Sequence, residues 1–108
     1  MDKIKKYEQS IINLLQSMVS EDDFETLITD KENHHYFLQW MGFNDHNRFI
    51  DKPLVHFHIK PNGKIWILAN ATEEDVAEAL IQKGIPKSDI VLGFHPSNFR
   101  KHTGYAVS

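Results

Sequence analysis

The sequence predicts an α+β domain: a mainly antiparallel β-sheet with an N-terminal helix and a second helix packed on it. Three observations carry that reading. Ile4, Tyr7, Ile11, Leu14, Leu15 and Met18 recur at spacings of three and four, the mark of one helical face. Two apolar runs, 54–60 and 64–68, flank Asn62-Gly63, a strong short-range hairpin signal. A second helical pattern, Val76, Ala77, Leu80 and Ile81, stops at Gly84 and is followed by the short apolar run Ile90-Val91-Leu92.

Taken in order, Asp2 suits the N-cap of the first helix, and Lys5, Lys6, Glu8, Gln9 and Asn13 fall mostly on its solvent side. Ser20-Glu21-Asp22-Asp23 reads as an acidic turn that ends it. The residues from Phe24 to Thr29 make a strand, and Asp30-Lys31-Glu32-Asn33 has turn chemistry. From His34 to Phe43 two apolar sets alternate, Tyr36/Leu38/Trp40 and Phe37/Met41/Phe43, which predicts a strand covered on both faces. Gly42 to Asn47 breaks that run. The next strand spans Leu54 to Lys60 with Pro53 at its entry, where a missing N–H costs least, and its hairpin partner runs from Lys64 to Leu68. Thr72 is the expected N-cap of the second helix, with Glu73, Glu74 and Asp75 in a first turn where negative charge suits the dipole. Pro86 sits near the start of a turn or single helical turn, and Ile90 to Leu92 form a short buried strand. The tail carries Gly93, Pro96 and Gly104, so it is expected to be mostly irregular, with Tyr105-Ala106-Val107 extended.

Composition narrows the function classes. The chain has 108 residues, 41% apolar and 11% aromatic, which suits one domain over residues 1–108 with a substantial core. It has no cysteine, which excludes disulfide scaffolds, thiol nucleophiles and thiolate metal sites. Its apolar runs are far shorter than the roughly 18–20 residues of a membrane span, and no apolar segment follows Met1-Asp2-Lys3-Ile4-Lys5-Lys6, so a cytoplasmic protein is expected. Fifteen acidic residues against twelve Lys and Arg leave a formal charge of −3, and only Arg48 and Arg100 are arginines, a balance that argues against autonomous phosphate gripping.

Seven histidines are the compositional oddity. His56 and His58 alternate with Phe57, so a strand aims both imidazoles at one face with Cα atoms about 6.5–7 Å apart. That spacing allows two ligands on one metal if His34, His35 or His95 joins them, but a half-exposed sheet face opposite Val55, Phe57 and Ile59 explains the pair as well. Trp66, between Ile65 and Ile67, reads as packing. The glycines are too scattered for a phosphate cradle, the serines lack a nucleophile elbow, and Glu25 with Asp30 is better read as a solvated strand edge than as an acid/base pair. No catalytic set emerges and no cofactor is expected. Local structure explains 93–105 least. Its aromatics and cations either anchor a wrapped tail or present a binding surface.

Several stretches go further. Gly63-Lys64-Ile65-Trp66-Ile67, Asn70 with Thr72-Glu73-Glu74-Asp75, Gly84 through Pro96, and Arg100 with Thr103-Gly104-Tyr105-Ala106-Val107 closely resemble the XisI family, named for the fdxN element excision controlling factor of cyanobacteria. The first helix and Gln39-Trp40-Met41-Gly42-Phe43 resemble it too, so the likeness spans essentially the whole chain. Departures are Pro96-Ser97 where the family commonly has Pro-Pro, Tyr105 where it has Phe, a histidine at 58 where it often has a carboxylate, and a Pro61-Asn62-Gly63 turn about one residue longer.

The resemblance implies a non-enzymatic accessory factor in site-specific DNA excision linked to heterocyst differentiation, acting with a XisH-like partner and reaching DNA indirectly through the recombination complex. The expected contact residues are Trp66, His95, Pro96, Phe99, Arg100 and Tyr105. A direct DNA-binding role is the alternative and would need Lys83, Lys87, Arg100 and Lys101 in one patch. A small metal-binding protein using His56 and His58 is the third reading. A homodimer is expected if the sheet's apolar faces need a second copy to cover them.

Overall fold

A computed structural model describes residues 2–20 and 24–108. The expected acidic turn therefore lies, from Glu21 to Asp23, outside the described residues. The first helix, α1, covers Lys3–Met18, and the Asp2 carboxylate caps it by accepting from the N–H groups of Ile4 and Lys5. Five strands follow: β1 Glu25–Asp30, β2 His35–Phe43, β3 Phe49–Ile59, β4 Ile65–Asn70 and β5 Ile90–Leu92. They form one sheet in chain order, antiparallel from β1 to β4, with β5 parallel to β4. The parallel step requires a crossover, supplied by α2, Val76–Gln82, and a 3-10 turn at Lys87–Asp89.

Helices α1 and α2 cover one face of the sheet. Tyr7, Ile11 and Leu15 of α1 meet Tyr36, Leu38, Val55, Phe57 and Ile67 of the strands and Leu80 of α2 in one buried core. Expecting β2 to be covered on both faces was wrong: Tyr36 and Leu38 are buried, while Met41 and Phe43 on the other face are exposed. Apolar alternation cannot tell a second covering layer from a half-open face, and here α1 packs against only one face of β2. Glu8, expected on the solvent side of α1, instead accepts a hydrogen bond from the Tyr36 hydroxyl.

Three boundaries moved. β2 continues through Gly42, and β3 begins at Phe49, so Pro53 lies inside a strand rather than at its entry. The register between β2 and β3 slips between Leu38 and Gln39, which pair with Val55 and Pro53. A bulge is where a strand tolerates a residue with no N–H. Thr72 is not the cap of α2. Its hydroxyl donates to the Asn70 side chain and accepts from the Glu74 N–H, and the Asp75 carboxylate takes the cap position by accepting from Glu78. At the far end Gly84, at φ 94, and Ile85 close the helix by donating to the carbonyls of Ile81 and Leu80, the paired bonds of a Schellman stop. The tail, expected to be mostly irregular, contains a short helix, α3, over Ser97–Arg100, and Ala106 then donates to the Ile90 carbonyl beside β5.

Candidate interaction surface

The face of the sheet turned away from α1 and α2 carries a carpet of rings. Strand register sets Phe37 opposite His56, His35 opposite His58, and His58 opposite Trp66. The Phe37 and His56 rings stack with centroids 4.1 Å apart, and His35 lies on His58 at 3.9 Å, nearly parallel. His35 Nδ1 and His56 Nε2 are 2.9 Å apart, so one nitrogen donates, the other accepts, and the neutral pair shares a single proton. His58 Nδ1 donates to the His34 carbonyl, which also accepts the Ile59 N–H. That carbonyl is aimed by the left-handed backbone of His34, at φ 60. His58 therefore holds its proton on Nδ1. The third ligand sought for His56 and His58 does not form a metal set. Among the described residues no three His, Asp or Glu side chains gather as one, His95 packs between Phe94 and Phe99, and His34 Nδ1 faces the Tyr36 hydroxyl.

Burial lowers the His56 pKa to about 4, with His35 and His58 adding repulsion, and burial followed by His58 lowers His35 against the pull of Asp30. The unfolded chain binds protons on these rings near pH 6.5 and the folded chain does not, so stability falls as pH drops from about 6.5 towards 4. Urea unfolding at pH 7 and pH 5 should show a lower midpoint at pH 5. His56→Gln should flatten that dependence, and an unchanged slope in this variant would take His56 out of the account.

Beyond the histidines the tail closes over Trp66. Lys60 Nζ lies 3.7 Å from the Trp66 ring and the Arg100 guanidinium 4.7 Å. Lys52 lies 5.8 Å from Trp40, across the β2–β3 ladder. None of these three cations stands on the same strand as its tryptophan. The partners come from neighbouring strands and the tail, and only register and the chain's return reveal them. Gly93 lets the tail start this close: a Cβ there would sit 2.8 Å from the Trp66 ring and 3.2 Å from the Ile67 carbonyl oxygen.

Arg100 also ties the tail to itself. Its Nε donates to the His95 carbonyl at 3.0 Å, and a second guanidinium nitrogen reaches the Val107 carbonyl at 3.5 Å. Pro96 stands at the N-cap of α3, and Phe94, His95, Phe99 and His102 form a run of ring contacts along its surface. Phe94 and Phe99 are each about half exposed. Tyr105 lies apart from this run, with Lys87 Nζ 5.0 Å from its ring. Of the six tail-surface residues singled out in the sequence, Trp66, His95, Phe99 and Arg100 share contacts, Pro96 starts their helix, and Tyr105 faces a separate cleft. Phe94 and Lys60 were missed, although alternation past His58 points to Lys60. Of the DNA-patch cations, Lys83 ends α2 and Lys101 ends α3. Glu25 and Asp30 stand at opposite ends of β1 and serve loops, accepting from Ser20 and from Glu32 and Asn33.

The comparisons give this surface its context. The family model described as XisI protein matches residues 1–107. The chain belongs to the XisI family. A crystal structure of the fdxN element excision controlling factor XisI from Anabaena variabilis superposes with a TM-score of 0.84 at 26% identity, covering 99% of this chain and 100% of that one. A XisI-like protein from the same organism gives 0.83 at 36% identity, covering 97% and 99%. Curated proteins give no significant match. The XisI-family fold expected from the residues is therefore shown, including its five-stranded, mostly antiparallel sheet. Among the described residues of this XisI-family chain, no helix is long and apolar enough to cross a membrane.

Proposed function

We propose that this XisI-family chain is a non-enzymatic regulatory subunit that binds a XisH-type partner in the control of site-specific DNA excision. The observation that carries the reading is the whole-chain family match, together with exposed aromatics on a tail tied down through Arg100. Phe94, Phe99 and His102 offer the rings, His95 and Pro96 shape the platform, and Trp66 with Arg100 fixes it from below. Aromatic groups presented by a pre-organised backbone lose little entropy on binding, which is what makes them effective anchors.

Co-expression with the XisH-like protein of the same genome, pull-down and native mass test this directly. A stoichiometric complex surviving about 0.5 M salt, where screening reaches within a few ångströms, is expected. Phe99→Ser should weaken it about tenfold, or ~1.4 kcal/mol. A complex indifferent to Phe99→Ser would move the interface off the tail. No complex at any salt, with salt-sensitive binding of duplex DNA instead, would favour the direct DNA reading and its cations Lys83, Lys87, Arg100 and Lys101.

A further inference from the structure

A cleft of about 160 Å³ opens at the carboxyl ends of the parallel pair β4 and β5, where α2 begins and the tail returns. This is where open parallel units place ligands, because the loops after both strands diverge there. Ile67, Val76 and Leu92 form an apolar floor, Phe94 and Tyr105 are its aromatic walls, and Asp75 stands at the mouth. On the ~30 Å³ share of a water-sized group, the cleft holds about five heavy atoms.

The chemistry of the cleft is cation-seeking. One oxygen of Asp75 accepts the Glu78 N–H in capping α2, and the residue also lines the cleft. Asp75 lines the cleft, Glu73, Glu74 and Glu78 are exposed near it in the chain, and neither ion pair seen among the described residues involves them. The Tyr105 hydroxyl resists ionisation, through burial first and then the carboxylates of Asp75 and Glu78, so both carboxylates act on the cleft, while Lys87 Nζ lies 5.0 Å from the Tyr105 ring.

We propose that this cleft takes the side chain of a lysine carried on a basic segment of a protein partner. The four-carbon stem lies on Ile67, Val76 and Leu92, and the ammonium meets Asp75 beside the Tyr105 ring. Lysine fits better than arginine because a single available carboxylate oxygen suits a point charge, whereas a guanidinium calls for two. The surrounding acidic residues fit a basic stretch of chain. The inference deepens the partner-binding reading and rests on it for which chain supplies the lysine.

The test separates the two. Isotope-labelled protein is titrated with a capped Gly-Lys-Gly peptide and with the same peptide acetylated on the lysine, and amide shifts are followed by NMR. Shifts confined to Asp75, Ala77, Phe94 and Tyr105 with the lysine peptide alone are expected. Asp75→Asn, which keeps an N-capping acceptor but not the charge, should weaken binding at least about tenfold with the fold retained. Equal shifts with both peptides, or none, would overturn the proposal. So would a XisH-type complex whose affinity is indifferent to Asp75→Asn, and that outcome would leave the partner reading standing. Peptide shifts without any XisH-type complex would uphold the cleft and remove the partner reading.

Discussion

Replacing Phe57 by alanine is expected to remove about 3–5 kcal/mol of stability, the usual cost of deleting a buried aromatic ring. Phe57 has no exposed surface and sits near the end of β3, a strand paired on both sides, with Tyr36 and Ile67 beside it on the flanking strands and α1 and α2 above. A cavity there cannot collapse easily, because strands on both sides hold the backbone in register. A domain of this size has only about 5–15 kcal/mol in total, so the variant should unfold at low urea and melt roughly 15 °C or more below the parent. His56→Ala, one residue away on the open face, provides the control. It opens no cavity between layers and should cost far less. A loss under about 1 kcal/mol for Phe57→Ala would place the core elsewhere.

Arg100→Ala should loosen the tail at a cost of about 1.5–3 kcal/mol, the range for hydrogen bonds from a charged group. The substitution removes the bonds to the His95 and Val107 carbonyls and the guanidinium's contact with Trp66 at one stroke. Chymotrypsin should then cut at Phe99 and Tyr105 well before the body is degraded, because local opening exposes them. Arg100→Lys keeps the charge over the indole but lacks the fork that reaches two carbonyls, so it should fall between the two. Unchanged cleavage in the alanine variant would mean that the other ties, Ala106 to Ile90 and Lys64 to Ser108, hold the tail without Arg100. Arg100 therefore acts on any partner through the tail's order, and Phe99 is the cleaner probe of the surface.

The elements that were legible in the residues share one property: their signals are local. Asp2 caps α1 because its carboxylate reaches N–H groups two and three residues on, and Gly84 stops α2 because only a residue without Cβ enters that φ freely. The Asn62-Gly63 hairpin is of the same kind, with Gly63 at φ 83. The alternation in 54–60 put His56 and His58 on one face opposite Val55, Phe57 and Ile59, and the family pattern spread along the chain was readable without any coordinates.

What tertiary structure decided was everything that depends on residues far apart in sequence meeting. No local pattern says that β2 keeps one face open, since that depends on how many layers the whole chain can supply. The bulge that admits Pro53 depends on register with β2. His35 joins His56 only because a 2.9 Å contact crosses two strands, and Lys60 and Arg100 meet over Trp66 only because the tail comes back across the sheet. The cleft beside Tyr105 is the extreme case. Its walls come from two strands, a helix start and the tail, and no single segment contains its chemistry. Periodicity and capping are short-range, so the sequence alone determined the elements and the family. Packing and register are long-range, so only the folded chain determined which surfaces remain to bind.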